Sequence, residues 1–289
     1  MNPLDDILRA SADYYNGSPT MTDSEYDAMV AAFAKKQPRL FDQWRASYIG
    51  PKPAHATPHP FRMLSLRGNG FEAFAEFAEW LSNMPKKADS YIVQPKIDGH
   101  AIAISYREGR LVRVATRGDG TEGKDITGLI LKNKILPACI KAGSPSPLHL
   151  TGELYLPLCE WDRDAFDHPR NELCSIMNTH GHEKRSSLCV FVHGVHEWTG
   201  ERFAQRETEI MSYLRGRLNL MTVPDFELAP RLLVQGFGAT LHGYLEHFRK
   251  YLPVDGLVVK VNSLPVRYRI GESAVAPLWA YALKEYTRY

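Results

Sequence analysis

A lysine, an aspartate and a glycine lie together in "VQPKIDGHAIAISY", at Lys96, Asp98 and Gly99. Residues two apart in an extended chain project to the same face, so Lys96 and Asp98 are expected side by side, and Gly99 lets the backbone turn after them. An amine in a semi-enclosed strand has its charged form disfavoured by desolvation, which frees a lone pair for attack on a carbonyl carbon or a phosphorus. The alternative for so short a motif is a surface lysine in a salt bridge with a neighbouring aspartate.

Three further cations interrupt or end apolar strand patterns. Arg117 precedes the glycine-rich "GDGTEG", Lys260 interrupts "LVVKV", and Lys284 follows "WAYAL". Taken singly, each could be an edge residue whose charge reaches solvent. Together with Lys96, and with no acidic run to neutralise them, they predict a site for a polyanion such as a nucleotide diphosphate. Glu153, in "LTGELYL", could accept a hydrogen bond from a ribose hydroxyl or pair with a lysine.

The elements that must position these residues begin with a helical block over residues 1 to about 47. Within it, "TDSEYDAMVAAFAKKQP" opens with a capping box of Thr22 and Glu25 and predicts a helix that ends before Pro38. Its apolar stripe starts at Tyr26. Residues 49–60 contain four prolines and a glycine, a composition that predicts a linker rather than an element.

The rest of the chain has the pattern of a mixed sheet domain. "HAIAISY" and "RLVRVATR" alternate with period 2 and predict a β-hairpin. Amphipathic helices are expected at about 71–83, 203–218 and 239–251. The fold class predicted is α+β with mainly antiparallel strands. Further strands are expected at "LHLTGELYL", "LCVFVHGV", "DGLVVKVN" and "LWAYALKE".

Composition limits the classes of function. The 289 residues, 44% hydrophobic and 24% charged, are typical of a globular chain. No apolar run of membrane-spanning length and no signal-peptide pattern occurs, so a cytoplasmic location is expected. A net charge of +2 is far from the basic bias of a protein that grips nucleic acid alone. Four cysteines without a C-x-x-C pair indicate neither a zinc ribbon nor a redox dithiol, and the histidine pairs 55/59 and 180/182 are interpreted as surface residues.

Several motifs, in their order along the chain, resemble those of the adenylation domain of bacterial NAD-dependent DNA ligases. The segments "YYNGSPTMTDSEYD" and "MLSL" are similar to that family's N-terminal helical subdomain and to the segment that follows it. The resemblance implies a helical NMN-binding subdomain over residues 1–53 and a nucleotidyltransferase domain, of the ATP-grasp-like ligase type, over 54–289. The motifs that carry it are "PKIDG", "ATRGDGTEGKDIT", "TGELYLP", "HPRN", "VDGLVVKVNSL" and "APLWAYALK".

The resemblance implies roles for individual residues. Lys96 matches the lysine that attacks the adenylyl phosphorus of NAD, expels nicotinamide mononucleotide (NMN) and keeps AMP as a phosphoramide. NAD and Mg²⁺ are the implied cofactors, although the sequence shows no dedicated metal cage. The implied catalytic residues are Lys96, Asp98, Arg117 and Lys260, and the implied motif contacts are Gly99, Arg170 and Asp255. The implied nucleotide contacts are Tyr14, Tyr15, Asp23, Tyr26, Asp27, Ser65, Leu66, Gln94, Arg117, Glu153, His193, Lys260 and Lys284.

The N-terminal residues among these are implied to grip the NMN half of NAD. Carboxylates of Asp23 and Asp27 suit a cationic nicotinamide ring, and an aromatic face suits stacking. The alternative is that both aspartates favour the helix N-terminus and Tyr26 heads the core stripe. The loop at Tyr14 and Tyr15 is one residue short, so which tyrosine plays which part stays open. This subdomain indicates NAD rather than ATP, because ATP-dependent relatives lack it.

Five positions depart from the family pattern. Gln94 replaces a glutamate that reads the adenine amino group, although an amide oxygen can still accept that hydrogen bond. Lys124 replaces an acidic residue in the glycine-rich loop, and Ser175 and Asn178 replace a glycine and a second arginine. His193 replaces a tyrosine that stacks on adenine, and an imidazole can stack with less area.

No segment resembles the OB, zinc, helix-hairpin-helix or terminal domains of the family. The expectation is therefore one subunit of a split ligase, or a fragment of a longer protein, with nicked duplex DNA as the final substrate and a second polypeptide or a C-terminal region supplying the DNA-clamping domains. Two other functions stay open. One is an NAD-binding subunit without catalysis, which the changes at Gln94, Lys124 and Asn178 favour, and the other is an enzyme that adenylates RNA or protein.

Overall fold

The computed structural model describes residues 3–15, 20–47, 56–70, 74–141, 144–178, 187–196, 204–235 and 240–285. The helices in these ranges are α1 (Pro3–Tyr15), α2 (Asp23–Lys36), α3 (Pro38–Ser47), α4 (Phe74–Ser82), α5 (Thr127–Lys132), α6 (Pro169–Asn178), α7 (Glu207–Leu218), α8 (Pro230–Gln235), α9 (His242–Arg249) and α10 (Leu264–Ile270). The strands are β1 (Ala56–Pro58), β2 (Gly68–Gly70), β3 (Tyr91–Ile97), β4 (His100–Arg107), β5 (Arg110–Thr116), β6 (Glu122–Lys124), β7 (Leu148–Tyr155), β8 (Cys189–His196), β9 (Phe226–Leu228), β10 (Val254–Val261) and β11 (Ala280–Lys284).

The first three helices form a small cluster of their own. The capping box is confirmed, because the Thr22 side chain accepts from the Glu25 backbone N–H while Glu25 Oε2 accepts from the Thr22 N–H at 2.8 Å. Helix α2 ends at Lys36, just before the proline, as expected. Phe33 is fully buried and packs edge-on against Phe41 and Trp44 of α3. The aromatic contacts join α2 to α3 around one apolar centre.

Two mainly antiparallel sheets form the framework of the rest of the described chain. The five-stranded sheet has the order β2-β11-β10-β3-β9, and the four-stranded sheet has the order β5-β4-β7-β8. Only the pairing of β11 with β2 is parallel among these. Each sheet packs on its own helices, with one core that includes Ile104, Leu150 and Met211 and a second that includes Val93 and Leu283. The predicted α+β class with mainly antiparallel strands is confirmed.

The segment around Asp98 and Gly99 connects the two sheets. Strands β3 and β4 follow each other directly in the chain, yet β3 belongs to the five-stranded sheet and β4 to the four-stranded one. A Cβ atom at Gly99 would lie 2.2 Å from the carbonyl oxygen of Leu154, so only glycine allows the strands to approach this closely. The turn expected after Lys96 is therefore a passage from one sheet to the other.

Most predicted elements are present within a few residues of their expected bounds, with one correction in the proline-rich stretch. Its residues Ala56–Pro58 form β1, which pairs with β6 at the glycine-rich loop. Proline is tolerated there because β1 and β6 form an isolated pair, and an edge strand needs only some of its N–H groups. The linker prediction was wrong for these three residues. None of the helices in the described ranges is long and apolar enough to cross a membrane.

Candidate active site

One cavity of about 1360 Å³ is lined by residues from both sheets and collects most of the predicted site. The four cations that interrupt or end strands meet here, although they are far apart in sequence. The predicted residues that line this cavity are Ser65, Leu66, Gln94, Lys96, Asp98, Gly99, Arg117, Glu153, Arg170, His193, Asp255, Lys260 and Lys284.

The floor of the cavity is set by the register of β3, β10 and β11. Residues directly opposite each other in neighbouring antiparallel strands project to the same face. The middle row combines one amide side chain, Gln94, with the apolar Val258, a surface that suits a flat ring with polar edge atoms. The successive rows across the three strands are Lys96, Gly256 and Lys284; then Gln94, Val258 and Ala282; then Ile92, Lys260 and Ala280.

Lys96 lies at one end of this floor and is held by a carboxylate from the neighbouring strand. Its Nζ donates to the two carboxylate oxygens of Asp255 at 2.6 and 2.8 Å. Both side chains remain partly exposed, at 23% and 28%. The ion-pair partner of Lys96 is thus a carboxylate that lies 159 residues away in sequence. Asp255 stands where it could accept a proton that leaves Nζ.

Asp98 faces a different pair of partners. Its carboxylate lies 3.4 Å from Nε2 of His168 and 3.5 Å from Nη1 of Arg170, at the start of α6. Asp98 therefore anchors the first turn of α6 beside Lys96 rather than pairing with Lys96 itself. His168 was not predicted from the sequence, since it precedes a proline in "HPRN" and resembles an ordinary turn residue.

Glu153 of β7 and Arg117, which directly follows β5, also line the cavity. Burial raises the pKa of Glu153 to about 7, although Lys96 and Arg170 act in the opposite direction. Its carboxyl group therefore holds a proton at a higher pH than an exposed glutamate does, and the protonated form can donate as well as accept. Arg117 donates from Nη1 to the Ser65 hydroxyl at 3.3 Å, which joins two predicted nucleotide contacts.

Lys260 lies at the other end of the floor and is fully enclosed. Its Nζ donates to the backbone carbonyl of His193 at 2.9 Å and to Oε1 of Glu207 at 3.0 Å. Arg267 forms an ion pair with the same carboxylate, and its guanidinium carbon lies 4.2 Å from the ring centroid of Trp279. Lys260 is therefore neutralised by a carboxylate far away in sequence, which the prediction of an uncompensated cation cluster missed.

Glu207 and Arg267 both line the cavity, yet neither was predicted from the sequence as a site residue. Glu207 is the first residue of α7 and reads as an ordinary acidic helix start in "QRETEI". Arg267 lies in α10, in a segment with no predicted element. Only the packing of α7 and α10 against β10 reveals their role.

Two of the departures from the family pattern contact each other. Nζ of Lys124 donates to the backbone carbonyl of Met177 at 2.8 Å and to Oδ1 of Asn178 at 3.0 Å, at the C-terminal end of α6. Burial lowers the pKa of Lys124. Because both residues line the cavity, the two changes form one joint feature of its wall.

Two further departures, Gln94 and His193, lie on the cavity floor and beside it. Gln94 is 2% exposed, and its Nε2 has no hydrogen-bond partner among the described residues. Burial, assisted by Lys260, lowers the pKa of His193 to about 3. The imidazole of His193 is therefore neutral at physiological pH and is able to stack on a ring.

The N-terminal part of the predicted site is only partly described. The side chains of Tyr14, Tyr15, Asp23 and Asp27 lie outside the described residues, so their predicted contacts with NMN stay predictions. Tyr26 lies on α2 and is half-buried, and it does not line the cavity.

The described part of the chain contains no cluster of three or more histidine, cysteine, aspartate or glutamate side chains that could hold a metal ion. Mg²⁺ does not require such a cage, because it is commonly bound by one or two carboxylates together with the substrate's phosphates. Asp98, Glu153 and Asp255 all line the cavity that contains Lys96. The oxygen donors present therefore fit an Mg²⁺ ion that binds together with a phosphate.

Comparisons with known proteins show the family to which the chain is similar. Residues 53–287 match the NAD-dependent DNA ligase adenylation domain. A protein named DNA ligase from Magnetococcus marinus is 34% identical over 223 residues, which cover 71% of this chain and 28% of that protein. The DNA ligase of Pelotomaculum thermopropionicum is 32% identical over 304 residues, covering 94% of this chain and 44% of that protein. The chain thus spans less than half the length of these curated relatives.

Proposed function

We propose, because the chain belongs to the family of NAD-dependent DNA ligase adenylation domains, that it transfers AMP from NAD to its own Lys96. The observation that supports this most is the meeting of Lys96, Arg117, Lys260 and Lys284 in one cavity. A cluster of cations around one partly exposed lysine suits a reaction at a phosphorus that carries negative charge.

The chemistry follows from the contacts of Lys96. Nζ loses a proton, for which Asp255 is the placed acceptor, and its lone pair attacks the adenylyl phosphorus of NAD. A nitrogen–phosphorus bond forms, the pyrophosphate oxygen–phosphorus bond breaks, and the electron pair leaves with NMN. Arg117 and Lys284 stabilise the negative charge that develops on the phosphate oxygens. An Mg²⁺ ion held by Asp98 or Glu153 would neutralise further phosphate charge.

The nucleotide lies along the floor in this proposal. When the phosphorus is within bonding reach of Lys96, the base lies over the middle row of the floor, where Val258 offers an apolar surface. The buried Nε2 of Gln94 supplies a donor for an acceptor on the edge of the ring. The neutral imidazole of His193 is available to stack on the base.

The remaining parts of the reaction rest on the family. We assign the NMN half of NAD to a helical subdomain over residues 1–53, through Tyr14 or Tyr15, Asp23, Tyr26 and Asp27. Sealing of nicked duplex DNA requires domains that clamp the duplex. We assign these to a second polypeptide or to a further region of a longer protein, because the curated relatives are more than twice as long as the matched part.

Intact-protein mass spectrometry tests the central step. The chain is incubated with Mg²⁺ and either NAD or ATP, alongside Lys96→Ala and, as a matched control, Lys87→Ala at an exposed lysine. We expect a gain of one AMP, roughly a third of a kilodalton, with NAD in the parent chain and the control but not in Lys96→Ala. No gain in a folded chain free of AMP would favour a silent NAD-binding subunit. Transfer from the adduct to RNA ends or protein, but not to nicked duplex with its partner, would contradict DNA as the final substrate.

A further inference from the structure

A buried ionic cluster forms the far end of the cavity from Lys96. It consists of Lys260 on β10, Glu207 on α7 and Arg267 on α10, each less than 9% exposed. One carboxylate thus lies between two cations, and the cluster keeps one net positive charge. The site proposed above assigns Lys260 to the nucleotide but gives the other two residues no part.

The cluster is fixed to the sheet on which Lys260 stands. The backbone N–H of Glu207 donates to the carbonyl of Asn262 at 3.0 Å, so the first turn of α7 is tied to the end of β10. The guanidinium of Arg267 stacks on Trp279, which also lines the cavity. Both partners of the cluster are therefore held in place by the same strands that place Lys260.

We propose that Glu207 is a positioning residue for AMP transfer, which keeps Lys260 a cation facing the bound nucleotide, while Arg267 limits how much of that charge Glu207 neutralises. The proposal rests on the proposed function, since it concerns the same cavity. Unlike a purely structural role, this role of Glu207 determines whether Lys260 is charged. Without Glu207, two adjacent cations would be buried together, and an arginine does not give up its proton. The amine of Lys260 would therefore lose its proton instead.

The sign of the pH effect follows from the groups that face Lys260. Burial lowers the pKa of Lys260, Glu207 and Asp225 raise it, and Arg267 lowers it. His193 and His196 also face Lys260 from β8, but burial lowers the pKa of both, to about 3 and about 4, so both are neutral where the enzyme works. Removing Glu207 lowers the pH at which Lys260 loses its charge, and removing Arg267 raises it.

The test is the pH profile of AMP transfer in a single turnover, measured from about pH 6 to about pH 9. In Glu207→Gln the rate should begin to decline at a lower pH than in the parent chain. Relative to the parent rate, the loss at alkaline pH should then exceed the loss at acid pH by about tenfold for each pH unit of displacement. Arg267→Met keeps the length and the apolar contact with Trp279, and it should move the decline in the opposite direction. Glu209→Gln makes the same charge change at an exposed position of α7 and should keep the parent profile.

Two further variants separate the outcomes. Glu207→Asp keeps the charge, so its pH profile should keep the parent shape at a reduced rate. If Glu207→Gln does not fold, Glu207→Asp and Arg267→Met still test the proposal. Equal loss at every pH in Glu207→Gln, or displacement of Glu207→Gln and Arg267→Met in the same direction, would overturn the proposal. If the parent chain forms no adduct, the proposed function fails instead. AMP binding to Lys96→Ala by calorimetry, with and without Glu207→Gln, should still show the same pH displacement.

Discussion

Each end of the cavity floor holds a lysine paired with a carboxylate, and the two pairs differ in how far they are buried. Lys96 is paired with Asp255, and both side chains are about a quarter exposed. Lys260 is paired with Glu207, and their side chains are 8% and 4% exposed. A reacting lysine must exchange its partner for a phosphorus, whereas a lysine that only supplies charge is best held still. In the proposed function, the difference in burial therefore separates the lysine assigned as nucleophile from the lysine assigned only a charge.

The largest expected effect tests whether Lys96 acts as a nucleophile or only as a cation. Lys96→Arg keeps the positive charge, but a guanidinium is always protonated and offers no lone pair. We expect AMP transfer to fall below detection, a loss of more than about 10⁴-fold. NAD should still bind within a few-fold of the parent affinity, measured by calorimetry. An adduct that persists in this variant would show that another side chain is the nucleophile.

The next effect concerns the carboxylate at the exposed end. Asp255→Asn keeps the size of the side chain but removes the proton acceptor of Lys96, so the single-turnover rate should fall by about 10²-fold or more. Asp125→Asn, an aspartate outside the cavity, serves as the matched control. A rate within a few-fold of the parent chain in Asp255→Asn would mean that another group or solvent takes the proton.

For the free energy of unfolding, substitution of Lys260 should cost more than substitution of Lys96, whereas for AMP transfer the substitution of Lys96 should cost more. Lys260→Met removes the two hydrogen bonds of a buried amine, although Arg267 still neutralises Glu207, and we expect a loss of about 2 kcal/mol in the free energy of unfolding. Lys96→Met breaks a partly exposed pair and should cost less than about 1 kcal/mol. Urea unfolding of both variants measures the two values. Equal costs would show that burial does not distinguish the two pairs.

Glu153, near Lys96, should make the free energy of unfolding depend on pH. Burial raises its pKa from 4.5 to about 7, so the folded state holds more protons than the unfolded state between these values. Its contribution to stability is full at low pH and is lost as the pH rises through that window. In Glu153→Gln the decline in unfolding free energy over this range should be reduced, as urea titrations at several pH values would show. An unchanged slope would assign the decline to other groups.

More of the residues around Lys96 than of those around Lys260 could be predicted from the sequence. The apolar strand patterns placed Lys260 and Lys284 on strands, and Lys96 was expected in extended chain. The register of β3, β10 and β11 brings the three lysines to one face. Asp255 could be named because it lies in "VDGLVVKVNSL", one of the segments that resemble the family's motifs. Glu207 could not, because the packing of α7 against β10 depends on contacts across 53 residues of sequence. Short elements such as β1 were missed for a related reason, since three residues carry too little periodicity to predict a strand.

The smallest effect concerns the joint departure of Lys124 and Asn178. If the two changes act as one feature, their contact should carry a coupling energy of about 1 kcal/mol between Lys124→Met and Asn178→Ala in a double-mutant cycle of unfolding. Lys124 also caps the carbonyl of Met177, so Lys124→Met should lose more than Asn178→Ala. The single variants should change the affinity for NAD by less than tenfold, because neither residue lies on the floor. Additive effects would show that the two departures are independent, and that the C-terminal end of α6 is held by the backbone contact alone.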